Sequence, residues 1–188
     1  ANNNRIRVVT PTGTVTTLAG SGTGTFADGT GAAASFNYPF GVAVLSNGNI
    51  VVGDGFNSRI RIVTYPGGVV TTLAGGTVGS SNGTGTAAQF NGPYGVAVLS
   101  DGNIAVADAG NHVIRIVTYP GGVVTTLAGL ATGAGYTDAT GTSAQFSVPN
   151  GVAQLLDGSI VVTDTNNCRI RRVTYPGGVV TTLAGSDS

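Results

Sequence analysis

Short segments in which apolar and polar residues alternate run through the chain, and glycine-rich turns separate them. Ile60 and Ile62, for example, alternate with two arginines, which is the period-two pattern of a strand with one buried face. The pair Asn47-Gly48 is typical of a two-residue hairpin turn. The pattern predicts four short antiparallel strands in this part of the chain, which we name a to d: residues 41–46, 49–53, 59–64 and 69–73.

The same pattern returns along the chain. The motif GVAVL begins at Gly41 and Gly95 and returns as GVAQL at Gly151, so that consecutive copies are 54 and 56 residues apart. Four short strands leave both faces of a single sheet wet, whereas a radial arrangement buries each sheet against its neighbours. The period-two pattern excludes a helical repeat, and the coils of stacked-sheet solenoids are usually shorter. The sequence therefore predicts an all-β fold, a β-propeller of four-stranded antiparallel blades.

The motif VTTLAG, which marks strand d, occurs once more often than the motif of strand a. We predict a half blade made of strands c and d in residues 1–20, followed by complete blades in residues 21–75, 76–129 and 130–188. Four c–d pairs stand against three a–b pairs, which leaves the first blade incomplete. Either the sequence is a segment of a longer polypeptide, or chains associate, for example as a two-fold pair with six complete blades.

Charge is scarce and evenly distributed. Hydrophobic residues make up 41% of the chain and charged residues only 9%, with eight arginines, eight aspartates and a net charge of zero. Nucleic-acid binding needs a basic footprint, which this distribution excludes. No apolar run approaches the length of about 18 residues that a membrane helix needs. A Thr/Gly/Ser/Asn surface without Lys or Glu favours an extracellular or cell-surface location.

Two longer signatures carry a family resemblance that covers nearly the whole chain. The first reads FNYPFGVAVLSNGNIVVGD, FNGPYGVAVLSDGNIAVAD and FSVPNGVAQLLDGSIVVTD, and the second reads DGFNSRIRIV, DAGNHVIRIV and DTNNCRIRRV. Together they resemble NHL repeats. The resemblance implies a propeller, typically of six blades, that is used mainly as a rigid interaction platform. Some members are metal-dependent lyases that rely on histidines around the channel, and the single His112 cannot supply such a set. We therefore expect no catalytic residue, metal site or cofactor.

An aspartate ends strand b in each copy, and an asparagine follows it after three residues. A carboxylate and an amide at this spacing can hydrogen-bond the free amides of the b–c turn, which predicts a structural role. Alternatively, the aspartates ring one mouth of the propeller and bind a cation or a polar ligand. The residues are Asp54 with Asn57, Asp108 with Asn111, and Asp164 with Asn167.

The connection between strand d and the next strand a is about twenty residues long, which is beyond the usual length. Asp28, Asn82 and Asp138 occupy the same position in its three copies and are candidates for binding a ligand or an ion, although the spacing matches no calcium loop. Its alanine-rich end predicts a helical turn that places a phenylalanine between blades. Asn82-Gly83-Thr84 is an N-glycosylation sequon on a predicted exposed loop.

Three further residue types raise a question of chemistry. His112 lies where Ser58 and Cys168 lie in the other copies, which predicts an ordinary turn residue. Cys168, the only cysteine, is predicted to be a buried or half-buried structural thiol. The tyrosines before the Pro-Gly-Gly turns are expected to pack the c–d turns, or alternatively to form an aromatic contact row: Tyr65, Tyr119 and Tyr175.

The leading hypothesis for function is a non-catalytic structural or protein-interaction module. Its expected partners are copies of the chain itself or the rest of a longer chain, within an extracellular assembly. The alternative is a glycan- or small-ligand-binding propeller that uses the d–a loops. A lyase- or lactonase-type enzyme is the third hypothesis.

Overall fold

In the computed structural model, which describes residues 2–186, the chain folds into β-strands joined by tight turns and three-residue 3-10 helices. Within these residues, three sheets each contain strands a, b, c and d in antiparallel order, and a two-stranded sheet of c and d precedes them. We call them blades 1 to 3 and the half blade. The prediction of an all-β chain of four-stranded antiparallel units is confirmed. The strands are Ile6–Val9 and Val15–Ala19 in the half blade; Pro39–Val44, Ile50–Asp54, Arg59–Val63 and Val69–Gly75 in blade 1; Pro93–Val98, Ile104–Asp108, Val113–Val117 and Val123–Ala128 in blade 2; and Pro149–Gln154, Ile160–Asp164, Arg169–Val173 and Val180–Ala184 in blade 3.

The strand register places one arginine of each strand c at the centre of its sheet. In blade 1, Arg61 lies opposite Val52 of strand b and Thr72 of strand d, with a bulge between Ile60 and Arg61. The expectation that only one face of strand c is buried is wrong for blade 1, because Arg61, on the polar side of the strand, is fully buried as well. The polar side of strand c is therefore an interior surface.

The long d–a connections contribute short strands that the hydrophobic pattern did not predict. Gly29–Thr30 and Gly83–Thr84 each pair with the outer strand d of the following blade and extend that sheet to five strands. Thr77–Val78 also pairs in parallel with Gln89–Phe90. The pairings with strand d fasten the first two connections to the outer edge of the blade that follows and cover part of it.

The alanine-rich end of each connection forms a 3-10 helix, as predicted: Gly31–Ala33, Gly85–Ala87 and Gly141–Ser143. The phenylalanine that follows is fully buried in all three copies: Phe36, Phe90 and Phe146. Phe90 packs with Leu45 and Ile60 of blade 1 and with Val96 and Ile104 of blade 2. The core therefore lies between blades, and each blade depends on its neighbour for burial.

Glycines allow consecutive strands a to meet backbone to backbone. A Cβ atom on Gly95 would lie 2.3 Å from the carbonyl oxygen of Asn150 in blade 3, and one on Gly41 would lie 2.5 Å from the carbonyl oxygen of Tyr94 in blade 2. Gly151, at the same position of blade 3, would meet only the side chain of Thr163. The repeated Gly of GVAVL is thus required where a further blade follows.

Candidate functional site

The repeated arginines and aspartates form a closed ion-pair network inside each blade. Arg61 Nη1 donates to Asp54 Oδ2 at 2.7 Å, and Arg171 Nη1 donates to Asp164 Oδ2 at the same distance. The corresponding pair in blade 2, Arg115 with Asp108, is longer at 3.1 Å. The side chains of all six residues are inaccessible to solvent. The aspartates at the ends of the b strands are therefore not exposed at a mouth of the propeller.

The second carboxylate oxygen of each of these aspartates binds backbone. Asp54 Oδ1 accepts the N–H of Asn37, just ahead of strand a, at 2.8 Å. Asn57 Nδ2 donates both to Asp54 Oδ2 and to the carbonyl of Thr25 in the d–a connection. Blades 2 and 3 repeat both arrangements with Asn91 and Asn111, and with Ser147 and Asn167. The aspartate therefore binds the backbone N–H of the segment before strand a and not that of the b–c turn. Within the b–c turn of blade 1, the N–H of Ser58 donates to the carbonyl of Gly55.

The loop residues Asp28, Asn82 and Asp138 bind the other arm of the buried arginines. Asp28 Oδ1 accepts from Arg61 Nη2 at 2.6 Å and from the hydroxyl of Thr72. Asn82 and Asp138 make the same two contacts in blades 2 and 3. Each of the three therefore lies against the arginine of its own blade. The side chains of Asp28 and Asp138 are 45% and 44% exposed, so they link the buried network to the surface.

Blade 2 has one carboxylate fewer than its neighbours, because an amide, Asn82, takes the place of Asp28 and Asp138. Burial raises the pKa of Asp108 to about 6 even though Arg115 lies beside it. Burial also raises the pKa of Asp54. Partial burial opposes ionisation of Asp138 as well, but hydrogen bonds from Thr182 and Arg171 hold its pKa below the usual range. The network in blade 2 is thus the least well compensated.

Replacing Asn82 by Asp is expected to stabilise the protein by about 0.5–1 kcal/mol, because a hydrogen bond to a charged acceptor is stronger than one to an amide and the site is partly exposed. The mirror change, Asp28→Asn, should lower the free energy of unfolding by a similar amount. Urea unfolding at neutral pH measures both. If Asn82→Asp brings no gain in stability and Asp28→Asn no loss, the outer acceptor does not stabilise the buried arginine, Arg115 in blade 2 or Arg61 in blade 1.

In two of the copies, the residue that closes the b–c turn accepts a hydrogen bond from the next blade. His112 has a positive φ and accepts the N–H of Val148 on Nδ1 at 3.1 Å, as expected of a turn residue. Asn4 of the half blade does the same for Tyr38. The prediction that the Cys168 thiol is buried or half-buried is wrong, because Cys168 is exposed. Ser58, at the same position, is covered by the following blade, and none of the described residues covers Cys168 in that way.

Two of the three tyrosines of the c–d turns hydrogen-bond to the preceding blade. The hydroxyl of Tyr119 accepts from Asn47 Nδ2 at 3.1 Å, and the hydroxyl of Tyr175 donates to Asp101 Oδ2 at 2.7 Å. Both partners lie in the a–b turn of the preceding blade. Tyr65, whose preceding half blade has no such turn, is exposed. Tyr119 and Tyr175 therefore join neighbouring blades.

At the two ends of the array, the surfaces are exposed that elsewhere in the array are buried between neighbouring blades. We call the outer side of the half blade, with Val9 and Val15, the leading face, and the outer side of blade 3, with Leu155, Ile170 and Leu183, the trailing face. Val9 is 63% exposed, whereas Val63 at the same position is fully buried. Ile170 is 36% exposed, whereas Ile60 is fully buried. Both faces thus present apolar side chains that have a partner everywhere else in the array.

An aromatic cleft lies between blades 1 and 2, on the side of the b–c turns. It has a volume of about 400 Å³ and is lined in part by Asn37, Phe56, Asn91, Gly92 and Tyr94. Sequence reasoning missed it, because the three copies were compared for what they share. The sequence signal that could have revealed the cleft is a difference between copies: the third copy has no aromatic residue where the first copy has Phe40 and Phe56.

Within residues 2–186, no group of three or more His, Cys, Asp or Glu side chains is arranged to hold a metal ion. The 3-10 helices of this same stretch are three residues long, and no helix in it is long and apolar enough to cross a membrane.

Comparison with known proteins identifies the repeat. The NHL repeat model matches residues 36–63, 90–117 and 146–173. The chain is 32% identical over 149 residues to the protein SUPPRESSOR OF QUENCHING 1, chloroplastic, of Arabidopsis thaliana, and 32% identical over 151 residues to the human NHL repeat-containing protein 2. These matches cover 74% and 73% of the chain but only 14% and 21% of the relatives, so the chain spans only a small part of either relative.

Solved structures confirm the propeller fold. An auxiliary nutrient binding protein from Bacteroides thetaiotaomicron superimposes with a TM-score of 0.73 at 20% identity, over 97% of this chain and 44% of that one. A virginiamycin B lyase from Staphylococcus aureus superimposes with a TM-score of 0.66 at 17% identity, over 99% of this chain and 50% of that one. The chain therefore spans about half of each of these proteins.

Proposed function

The chain belongs to the NHL-repeat family of β-propellers, and on that premise we propose that it is a non-catalytic structural and protein-interaction module whose end faces bind further blades. The observation that carries the proposal is the exposure of apolar side chains on the leading and trailing faces. A four-stranded blade buries its core only against neighbours. For the chain by itself, the partner that fits is a second copy, with the trailing face of one chain against the leading face of the other.

The composition of the two faces supports this pairing. Inside the array, Ile60 of one blade packs in the same cluster as Val117 and Val124 of the next. The trailing face carries Ile170 in place of Ile60, and the leading face carries Val9 and Val15 in place of the two valines. The same apolar contact can therefore form between two chains.

Polar groups at the edge of the trailing face also support association of separately folded chains. Arg172, at a position where blades 1 and 2 carry isoleucine, is ion-paired with Asp157 at 2.6 Å and remains partly exposed. Interfaces between independently folded proteins keep a polar rim around an apolar centre. A chain that spans about half of related propellers would complete a ring of similar length with one second copy.

The non-catalytic part of the proposal rests on how the charged residues are used. The aspartates of the b strands are enclosed with arginines and have no contact with solvent. Nδ1 of His112 accepts a hydrogen bond from the backbone N–H of Val148 and so is occupied by a structural contact. The virginiamycin B lyase and the nutrient binding protein are an enzyme and a binding protein on the same fold, so the fold itself does not decide the activity. Turnover of lactones or cyclic depsipeptides, tested with and without Mg²⁺, would contradict the proposal.

The proposed setting is extracellular. Asn82 of the sequon is exposed, and its Oδ1 binds Arg115 while its Nδ2, the atom that glycosylation modifies, donates no hydrogen bond within residues 2–186. Expression through a eukaryotic secretory pathway, followed by intact mass measurement, tests whether the sequon is used. An unmodified secreted chain would remove this support.

Replacing Ile170 by Asp is expected to convert an associated particle into a monomer, because a carboxylate on the trailing face would be buried without a partner. Native mass spectrometry of the intact chain at micromolar concentration measures the change, and Val15→Asp should act in the same way from the leading face. Val123→Asp is the matched control, because Val123 is 40% exposed but lies on an outer strand d away from both end faces. A monomeric wild-type chain would overturn the proposal of self-association.

A further inference from the structure

We propose that the aromatic cleft between blades 1 and 2 binds a neutral carbohydrate, with the apolar face of a pyranose ring stacked on the exposed aromatic rings. The site is separate from the end faces and from the loop residues Asp28, Asn82 and Asp138. Its volume of about 400 Å³ lies within the range of small-molecule sites.

Four aromatic side chains form a continuous row beside the cleft. Phe56 stacks on Tyr38 with ring centres 4.5 Å apart, Tyr38 is followed by Phe40 at 5.9 Å, and Phe40 packs on Tyr94 at 4.4 Å. Phe56 and Phe40 are 57% and 44% exposed. A row of rings held against one another is rigid, and its exposed faces offer flat apolar area without loss of side-chain freedom on binding.

The fold does not require these rings. The third copy carries Val148, Asn150 and Asn166 where the first carries Tyr38, Phe40 and Phe56, and blade 3 nevertheless has the same strands and the same b–c turn. Val148 even keeps the positive φ of Tyr38. The aromatic row is thus a departure from the repeat that packing does not explain, which points to a ligand.

Gly92, one of the lining residues, leaves the cleft open. Gly92 stands at the position of Tyr38 and Val148, and a Cβ atom added to it would lie 3.3 Å from the ring of Tyr94. A side chain at this position would therefore crowd the ring and occupy the cleft. The boundary between blades 1 and 2 is free of such a side chain.

The polar groups of the lining indicate the chemical class of the ligand. All residues that line the cleft are uncharged, which favours a neutral molecule. The side-chain amides of Asn37 and Asn91 make no hydrogen bond to other groups of residues 2–186, although their backbone N–H groups are bonded. Each amide offers donors and an acceptor, which match hydroxyl groups that also donate and accept. A proline-rich peptide, which lacks N–H donors, would leave the amide oxygens unmatched.

Titration of the intact chain with soluble neutral tetrasaccharides tests the proposal, using cellotetraose, xylotetraose, mannotetraose and tetra-N-acetylchitotetraose with calorimetry and saturation-transfer NMR. We expect binding of at least one of them, weakened about tenfold by Phe56→Ala or Tyr94→Ala, as for the loss of one stacked ring. Gly92→Val, which introduces the residue of the third copy, should abolish binding. Tyr65→Ala is the matched control, because Tyr65 is about as exposed as Phe56 but lies in a c–d turn. Circular dichroism verifies that each variant is folded.

Three results would overturn the proposal. The first is that none of the tetrasaccharides binds at millimolar concentration. The second is binding that Phe56→Ala, Tyr94→Ala and Gly92→Val leave unchanged, since the carbohydrate would then bind elsewhere. The third is binding of a hexaproline peptide that depends on Phe56 and Tyr94 while no tetrasaccharide binds, because the cleft would then be a peptide site.

Discussion

Replacing Asp108 by Ala is expected to lower the free energy of unfolding by about 3–5 kcal/mol, the usual cost of leaving one partner of a buried ion pair alone. Arg115 would retain a charge in a fully buried position with only carbonyl and amide oxygens as acceptors. The N–H of Asn91 and the side-chain amide of Asn111 would lose their acceptor as well. Chemical unfolding at pH 7 measures the loss in free energy of unfolding. At this pH, above the pKa of about 6 of Asp108, the carboxylate of the wild-type pair is ionised.

The comparison with blade 1 makes this prediction specific. Asp54→Ala removes the same carboxylate, but Arg61 keeps its contact with Asp28. The loss should therefore be smaller than for Asp108→Ala by about 1 kcal/mol, the typical difference between a charged and a neutral hydrogen-bond acceptor. Combining Asp108→Ala with Asn82→Asp should recover part of the loss, because Arg115 regains a carboxylate. Equal losses in blades 1 and 2, with no recovery in the double variant, would show that the outer carboxylate does not compensate the arginine.

The repeat predicted the strands well, because period-two alternation and turn residues are local signals. The Arg–Asp network was harder to predict, since alternation alone assigned Arg61 to a wet face. Burial on both sides follows from radial packing, which places strand c in the interior of the array. A fixed separation would have revealed the pair, because Asp54 and Arg61 are seven residues apart and their counterparts keep that distance. Buried charges at a constant spacing in every copy indicate partners.

Features at positions where one copy differs from the others could not be predicted from the sequence. Cys168 was compared with residues that the following blade covers, and the comparison failed at the last blade, where no described residue takes that place. The aromatic row is built from positions 38, 40, 56 and 94, which meet only across a blade boundary. Contacts of this kind depend on how blades are placed side by side, which a strand pattern does not specify.

Replacing Gly75 by Ala is expected to destabilise the protein by about 3–5 kcal/mol, the sum of backbone strain and overpacking. Gly75 ends the VTTLAG motif of blade 1 and has a φ of +89°, a conformation that L-residues rarely adopt. A Cβ atom there would lie 2.3 Å from the carbonyl oxygen of Ser58 and 2.8 Å from the ring of Phe90. The carbonyl belongs to the backbone and the ring is fully buried between blades, so neither can move without opening the core.

Gly48→Ala separates the two causes of this loss. Gly48 lies in the a–b turn with a φ of +82°, close to that of Gly75, but a Cβ atom on it meets nothing within 4 Å. Its replacement should therefore cost only the backbone term, about 1–2 kcal/mol. Urea unfolding of both variants gives the difference directly. If the two variants lose the same stability, the last residue of VTTLAG is glycine for its φ alone. If Gly75→Ala costs about 2 kcal/mol more, the motif records the close approach of strand d to the b–c turn and to the phenylalanine between blades.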